Sequence, residues 1–384
     1  MRIVAVILIC TAISQTAAAE YRHRVALLGA GEVWLYPEQG GHGIGIVGYD
    51  LTGLPLGSHL GVELNTDTLR VRYDRLKVAG GWLSLGAQAT GQVLFAGLLN
   101  DYYRLDERDS ARGFWASYFH LAVFAKANLP AHNYLQLQLG VRRWFFNPLA
   151  DTDPALILPP EAWVFEGRLQ YTAWWLKGDP SLRDRSRLFG RLRGFALGVD
   201  VGIDVRSEVR PWGARDPTVF SPVDPRNDPK QVIVPVRQWF KGGWQLHDRV
   251  RSQVLQVAAY GYGEDDLTRM RVGGMNPYVV PIAGAPWAAF LSERLVALEW
   301  SWHFRFWREM EAGVLFDGVV LEDIERVGSD TWGWMAGVGA FLDLRIKSFQ
   351  VDVRGGWSPT MRWESDAGQF SAFVAFGWVW DSKG

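Results

Sequence analysis

Alternation limits this chain more than any other feature. From Leu135 the side chains Leu135, Leu137, Leu139 and Val141 share one side of an extended backbone, with Gln136, Gln138, Gly140 and Arg142 on the other. Leu197, Val199, Val201, Ile203 and Val205 alternate with Gly198, Asp200, Gly202, Asp204 and Arg206, and Val296 to Phe306 and Phe370 to Trp380 repeat the pattern. A period of two marks a strand with unlike faces. In a soluble sandwich the apolar face would meet a second sheet. Several runs here exceed the ~5–6 residues usual in globular sheets and reach the ~9–11 that cross a bilayer at a tilt. Trp and Tyr gather near run ends, at Trp34 and Tyr36, Tyr102 and Tyr103, Trp144, Trp174 and Trp175, and Trp378 and Trp380, as interfacial girdles do. Backbone amides in hydrocarbon must be paired internally, and for strands only a closed barrel achieves that. The expected fold is all-β, a transmembrane antiparallel β-barrel of about 16 strands with its apolar side against lipid.

The spans fall near 24–36, 43–52, 58–64, 68–78, 82–100, 113–127, 132–145 and 161–176, then near 190–206, 231–244, 250–263, 290–307, 310–320, 331–345, 349–358 and 369–380. Connections alternate in length. Long gaps at 101–112, 146–160, 207–230, 264–289, 321–330 and 359–368 face tight turns at 79–81, 128–131, 245–249, 308–309 and 346–348, with 177–189 the exception. Long loops outside and short turns inside are the outer-membrane pattern.

Residues 1–19 read as a cleaved secretory signal: Arg2, an apolar run from Ile3 to Ile13, then Ala17-Ala18-Ala19 before Glu20. That run is well short of the ~20 residues of a spanning helix. The barrel is expected over 20–384 in a bacterial outer membrane. Cys10 is the only cysteine and leaves with the signal, which excludes thiol chemistry and thiolate metal sites. With 40 Lys+Arg against 41 Asp+Glu, no net basic charge invites nucleic acid.

Motifs of chemistry are absent. Gly43-Ile44-Gly45-Ile46-Val47-Gly48 spells G-x-G-x-x-G without the strand–turn–helix frame of a dinucleotide site. The seven histidines show no pair at metal spacing. His303 shares a face with Ser301 and Glu299, but i, i+2 and i+4 positions on a strand spread over about 13 Å, too far for a relay. Glu264-Asp265-Asp266 and Glu322-Asp323 read as exposed acidic loops. No catalytic residue, cofactor or metal site is assigned. Inward positions such as Glu166, Arg168, Asp204, Asp343 and Arg354 carry both signs, so the lumen is expected to be wet or salt-bridged.

The stretch from Arg269 to Trp380 resembles the outer-membrane insertase and translocator superfamily. A Gly273-Gly274 pair leads into a long sixth loop, followed by Leu298-Glu299-Trp300, Leu315-Phe316-Asp317-Gly318, a glycine-rich Gly337-Val338-Gly339 and a final aromatic strand. The resemblance implies a sixth loop folded into the lumen, tipped by Arg-Gly-aromatic and held by acidic residues. Glu299 and Asp317 match those acids, whereas spacing from the glycine pair puts Val279-Val280-Pro281 at the tip. Arg271 or Arg294 then becomes the candidate substitute for the missing guanidinium. A second departure is that no room lies between Glu20 and the first strand for the periplasmic repeats of the best-known members, so a barrel-only, non-enzymatic relative is expected. It would contact outer-membrane lipids and assist insertion or translocation of a client polypeptide or lipid, with a periplasmic accessory protein as a possible partner. The seam between first and last strands would be its working part. A passive channel or structural barrel and, less favoured, a lipid-acting enzyme are the alternatives.

Overall fold

The computed structural model describes residues 21–36, 40–54, 57–65, 68–92, 103–104, 107–108, 114–150, 152–175, 194–213, 230–265, 267–273, 280–285, 290–322, 332–363 and 366–382. The expected signal segment and the basic run around 183–193 lie outside them. Sixteen strands form the ring: β1 (Arg22–Tyr36), β2 (Gly40–Thr52), β3 (His59–Asn65), β4 (Thr68–Val78), β5 (Leu83–Gln92), β6 (Phe114–Leu129), β7 (Asn133–Pro148) and β8 (Trp163–Trp174), then β9 (Gly194–Arg206), β10 (Val236–His247), β11 (Val250–Tyr260), β12 (Arg294–Arg305), β13 (Met310–Glu322), β14 (Trp332–Ile346), β15 (Phe349–Trp363) and β16 (Asp366–Asp381). Each pairs antiparallel with the next, and β16 returns to β1. Short hairpins, Tyr103–Arg104 with Glu107–Arg108 and Met270–Val272 with Phe290–Ser292, form separate small sheets.

The alternation faces as expected. Leu137, Leu139, Phe165 and Phe376 are each at least half exposed on the outer wall, where lipid would cover them. Glu166, Asp204, Asp343 and Asp352 are buried on the inner wall. The G-x-G-x-x-G lies within β2 as plain strand. One boundary departs clearly. The segment 359–368, expected as a long loop, is mostly strand, since β15 runs to Trp363 and β16 starts at Asp366. Proline is tolerated there because the register slips between Ser358 and Arg362, and a bulge does not require its missing N–H.

The seam bears on a second expectation. Pairing of β1 with β16 runs from Arg24↔Asp381 to Trp34↔Ser371 and resumes at Tyr36↔Phe370. It is zipped over its whole height, which weighs against an open seam as the working part. Gly29 and Gly31 make β1 a poor strand former in isolation, yet Phe376 folds over the bare Gly29 backbone. A Cβ built at Gly29 would lie 2.2 Å from the ring. The aromatic supplies the packing that glycine lacks.

Candidate functional site

The lumen wall is knitted by ion pairs between strands one or two places apart. Arg142 and His120 meet Glu166 at 2.6 and 3.2 Å, Arg168 meets Asp204 at 2.7 Å, and Arg251 meets Glu311 at 2.6 Å. Within single strands, Arg345 pairs with Asp343 on β14 and Arg354 with Asp352 on β15. These pairs agree with the salt-bridged lumen read from mixed-sign inner faces.

Into this lumen comes the sixth loop. The chain leaves the barrel through Met270–Val272 and bends at Gly273, whose φ is +114°. Val280 then lies parallel to Val272, with Gly273 N–H donating to the Val280 carbonyl at 3.0 Å. From Val280 to Ala285 the loop is inside protein. Val280, Ile282 and Ala285 pack with Leu295, Ala297, Val319 and Leu321 of β12 and β13, and Ala283 packs with Leu315, Phe341 and Phe373. Two directed bonds fix its tip: Ala283 N–H donates to Asp317 Oδ2 at 2.8 Å, and Gly284 N–H donates to Ser371 Oγ at 3.1 Å.

Glycines make this fit possible. Gly284 has φ +85°, and a Cβ there would come within 2.2 Å of Ser358 N and 2.6 Å of the Gln369 carbonyl. On the facing wall, a Cβ at Gly337 would strike the Ala283 carbonyl at 2.3 Å, and one at Gly356 would strike Ala283 Cβ at 2.7 Å. Backbone lies against backbone, so nothing larger than glycine fits without movement.

The structure brings two expected site residues together and separates the others. Glu299 on β12 and Asp317 on β13 are direct register partners. Arg294 turns instead to Glu322 at 3.4 Å and lies 5.1 Å from the Tyr260 ring centre, so it does not replace the missing arginine. Arg271 pairs in register with Leu291 on the small hairpin, eight positions along the chain from Glu299. Gly273 sits at the loop's bend, and Gly274 lies outside the described residues. Lys241 of β10 interacts electrostatically with Glu299, two strands away in the same row through Leu255. The tip also differs from expectation. Ala283-Gly284, rather than Val279-Val280-Pro281, meets Asp317; Val279 is outside the described residues. Counting from the glycine pair failed because the return of the loop is set by wall packing, not by a fixed offset.

Sequence reasoning also missed the loop's outer anchor. Asp265, expected in an exposed acidic loop, is fully buried, and Glu264 is 7% exposed; Asp266 lies outside the described residues. Asp265 accepts from both Arg206 Nη atoms at 2.7 and 2.9 Å and from Trp212 Nε1 at 3.1 Å. Burial pushes its carboxyl up, but the Arg206 charge and the hydrogen bonds from Arg206, Trp212 and Thr268 outweigh this and hold it below the usual range. Glu264 has no such fork. Burial, with Glu293 and Asp265 beside it, pushes it up to about 7 against the pull of Arg237 and Arg269. An isolated Trp amid five prolines, as at Trp212, was the sequence's only hint of an anchored loop.

His303 gives a further correction. Ser301 Oγ lies 3.0 Å from its Nε2, so the i, i+2 pair touches after all. Side chains lean together where backbone spacing predicted separation. The nearby acid is Glu311, 3.8 Å from Nδ1, not Glu299. Arg251 Nη2 stands 3.0 Å from Nδ1, and a guanidinium only donates. Nδ1 therefore accepts, the proton sits on Nε2, and His303 cannot take a proton from Ser301.

No protein-family model matches the chain, and no curated protein matches it. Among solved structures the barrel is similar to BamA from Haemophilus ducreyi lacking POTRA domains 1–3, with a TM-score of 0.63 and 12% identity over 93% of this chain and 70% of that one. CdiB from Acinetobacter baumannii gives 0.55 and 10% over 95% and 61%, and CdiB from Escherichia coli 0.54 and 11% over 92% and 63%. The chain thus spans under two thirds of either CdiB. The likeness is one of fold, a closed antiparallel barrel, which in this chain has 16 strands.

Proposed function

We propose that this is a non-enzymatic outer-membrane barrel of the insertase and translocator type, exported through cleavage of residues 1–19. Its work is to assist insertion or translocation of another polypeptide or lipid. The sixth loop, rather than the seam, is the moving part. One observation carries this reading: the loop tip is seated by two backbone hydrogen bonds and by small-residue packing, with Ala283 at Asp317. A buried guanidinium–carboxylate pair costs roughly 3–5 kcal/mol to break by losing one partner, and among the described residues no such pair holds this tip. Release of the loop is correspondingly cheaper than in a relative that carries the arginine.

The test is reconstitution in phospholipid vesicles with a urea-unfolded client barrel. Client folding should accelerate at least tenfold, and tethering the loop by an Ala283→Cys/Asp317→Cys disulfide should abolish the gain. No acceleration by the untethered protein overturns the reading. The zipped seam favours a second reading, a passive or structural barrel. Planar-bilayer recording distinguishes them: a steady open pore belongs to a channel, a silent lumen to a plugged barrel.

A further inference from the structure

We propose that the short-turn mouth of the barrel holds a binding site for one phosphate group, clasped between Arg249 and Arg305 with Arg251 behind. The pairing of β11 with β12 continues one step past Val250↔Phe304, where Arg305 N–H donates to the Arg249 carbonyl at 2.8 Å. Arg249 and Arg305 are therefore opposite one another, on the inward-facing parity of Arg251 and His303. A cavity of about 30 Å³ opens between them, lined also by Gln245, Asp248, His303 and Glu311, so that three guanidinium groups face two carboxylates. That is room for about two waters, enough for a single oxyanion group and for nothing larger.

The charges do not balance within the site. Arg251, at the back, is buried and committed to Glu311 at 2.6 Å. Arg305 donates to the backbone carbonyl of Asp248, which neutralises nothing. Among the described residues no carboxylate forms an ion pair with Arg305 or Arg249. Like charges directly opposite on a strand pair are destabilising, and an anion seated between them removes that cost. Guanidinium forks suit this task, each offering two parallel N–H groups to oxyanion oxygens. Two forks facing each other across the strand pair can grip a tetrahedral phosphate from both sides, whereas one fork already satisfies a planar carboxylate. Arg249 is exposed, so the site is open to the compartment on the short-turn side.

The ligand chemistry has two sources, free phosphate and a phospholipid headgroup from the adjoining leaflet. This proposal does not rest on the insertion role. Isothermal titration of the detergent-folded barrel with inorganic phosphate should show one site, weakened at least tenfold in the Arg249→Gln/Arg305→Gln variant. Native mass spectrometry from micelles doped with phosphatidylglycerol provides the second arm. Phosphate binding that the variant loses supports a free-anion site; silence toward phosphate with variant-sensitive lipid retention supports a headgroup site. Neither ligand bound, or both bound equally by the variant, overturns the proposal. Heat-modifiable gel mobility confirms that the variant remains a folded barrel.

Discussion

Glu299 and Asp317 stand directly opposite each other on β12 and β13, and the group donating to Asp317 is a backbone amide of the sixth loop, Ala283 N–H at 2.8 Å. The other carboxylate oxygen, Oδ1, is buried without a partner. Asp317→Asn keeps an acceptor for Ala283 while removing a charge beside Glu299, and it should leave the urea midpoint of the folded barrel unchanged or raise it. Asp317→Leu strips the acceptor and should destabilise by about 1–3 kcal/mol. Equal losses for the two variants would mean that Asp317 acts through its charge.

Gly284 carries the tightest steric demand in the lumen. Gly284→Ala places a methyl into backbone atoms of β15 and β16 at a positive φ, where overpacking alone costs about 1–3 kcal/mol. Strand content should survive, because the loop is not part of the ring, while the tip leaves its slot. Bilayer recording should then show ion flow through a lumen that is silent in the parent protein. A silent Gly284→Ala lumen would show that other residues close it.

Strand number and facing were legible because a period of two is a local signal repeated along the chain, and Leu135 to Val141 alone fixes which side of β7 faces out. Pairing Glu299 with Asp317 was within reach for the same reason, since a short turn joins their strands. What stayed hidden depends on contacts between distant segments. The burial of Asp265 needs Arg206 and Trp212, 59 and 53 residues away; in sequence it is one more acidic loop position. The seating of Ala283-Gly284 depends on Gly337 and Gly356, whose bare backbones look like ordinary strand glycines until the loop is laid across them. Nor does the sequence show that Phe376, near the far end of the chain, packs over the bare backbone of Gly29.

Acidity should tighten the outer anchor of the sixth loop. Glu264 is raised from 4.5 to about 7 in the folded loop, so the folded form keeps a proton that the unfolded form releases. Below about pH 4.5 both forms are protonated and nothing is lost; as pH rises toward 7 stability falls, by at most about 3 kcal/mol. Asp265 acts in the opposite sense, its depressed value stabilising the fold above the ordinary carboxylate range and losing that effect as acid protonates it. Thermal unfolding in micelles should therefore give a higher midpoint at pH 5.5 than at pH 8, and Glu264→Gln should remove most of the difference. An undiminished pH effect in the Gln variant would assign it elsewhere.

The seam and the loop can be separated by covalent bonds. Ala30 on β1 faces Ala375 on β16, and both small side chains belong to the apolar cluster around Ala283. Cross-strand partners have Cα atoms about 4.5–5.5 Å apart, within disulfide range, and Cys10 is the only native cysteine. An Ala30→Cys/Ala375→Cys variant should oxidise nearly completely, since the strands are already in register there. If the loop is the moving part, this staple leaves client insertion within about twofold of the parent, whereas the Ala283→Cys/Asp317→Cys tether abolishes it. The reverse result, a stapled seam that kills activity and a tethered loop that spares it, would return the working role to the strand junction despite its complete pairing at rest.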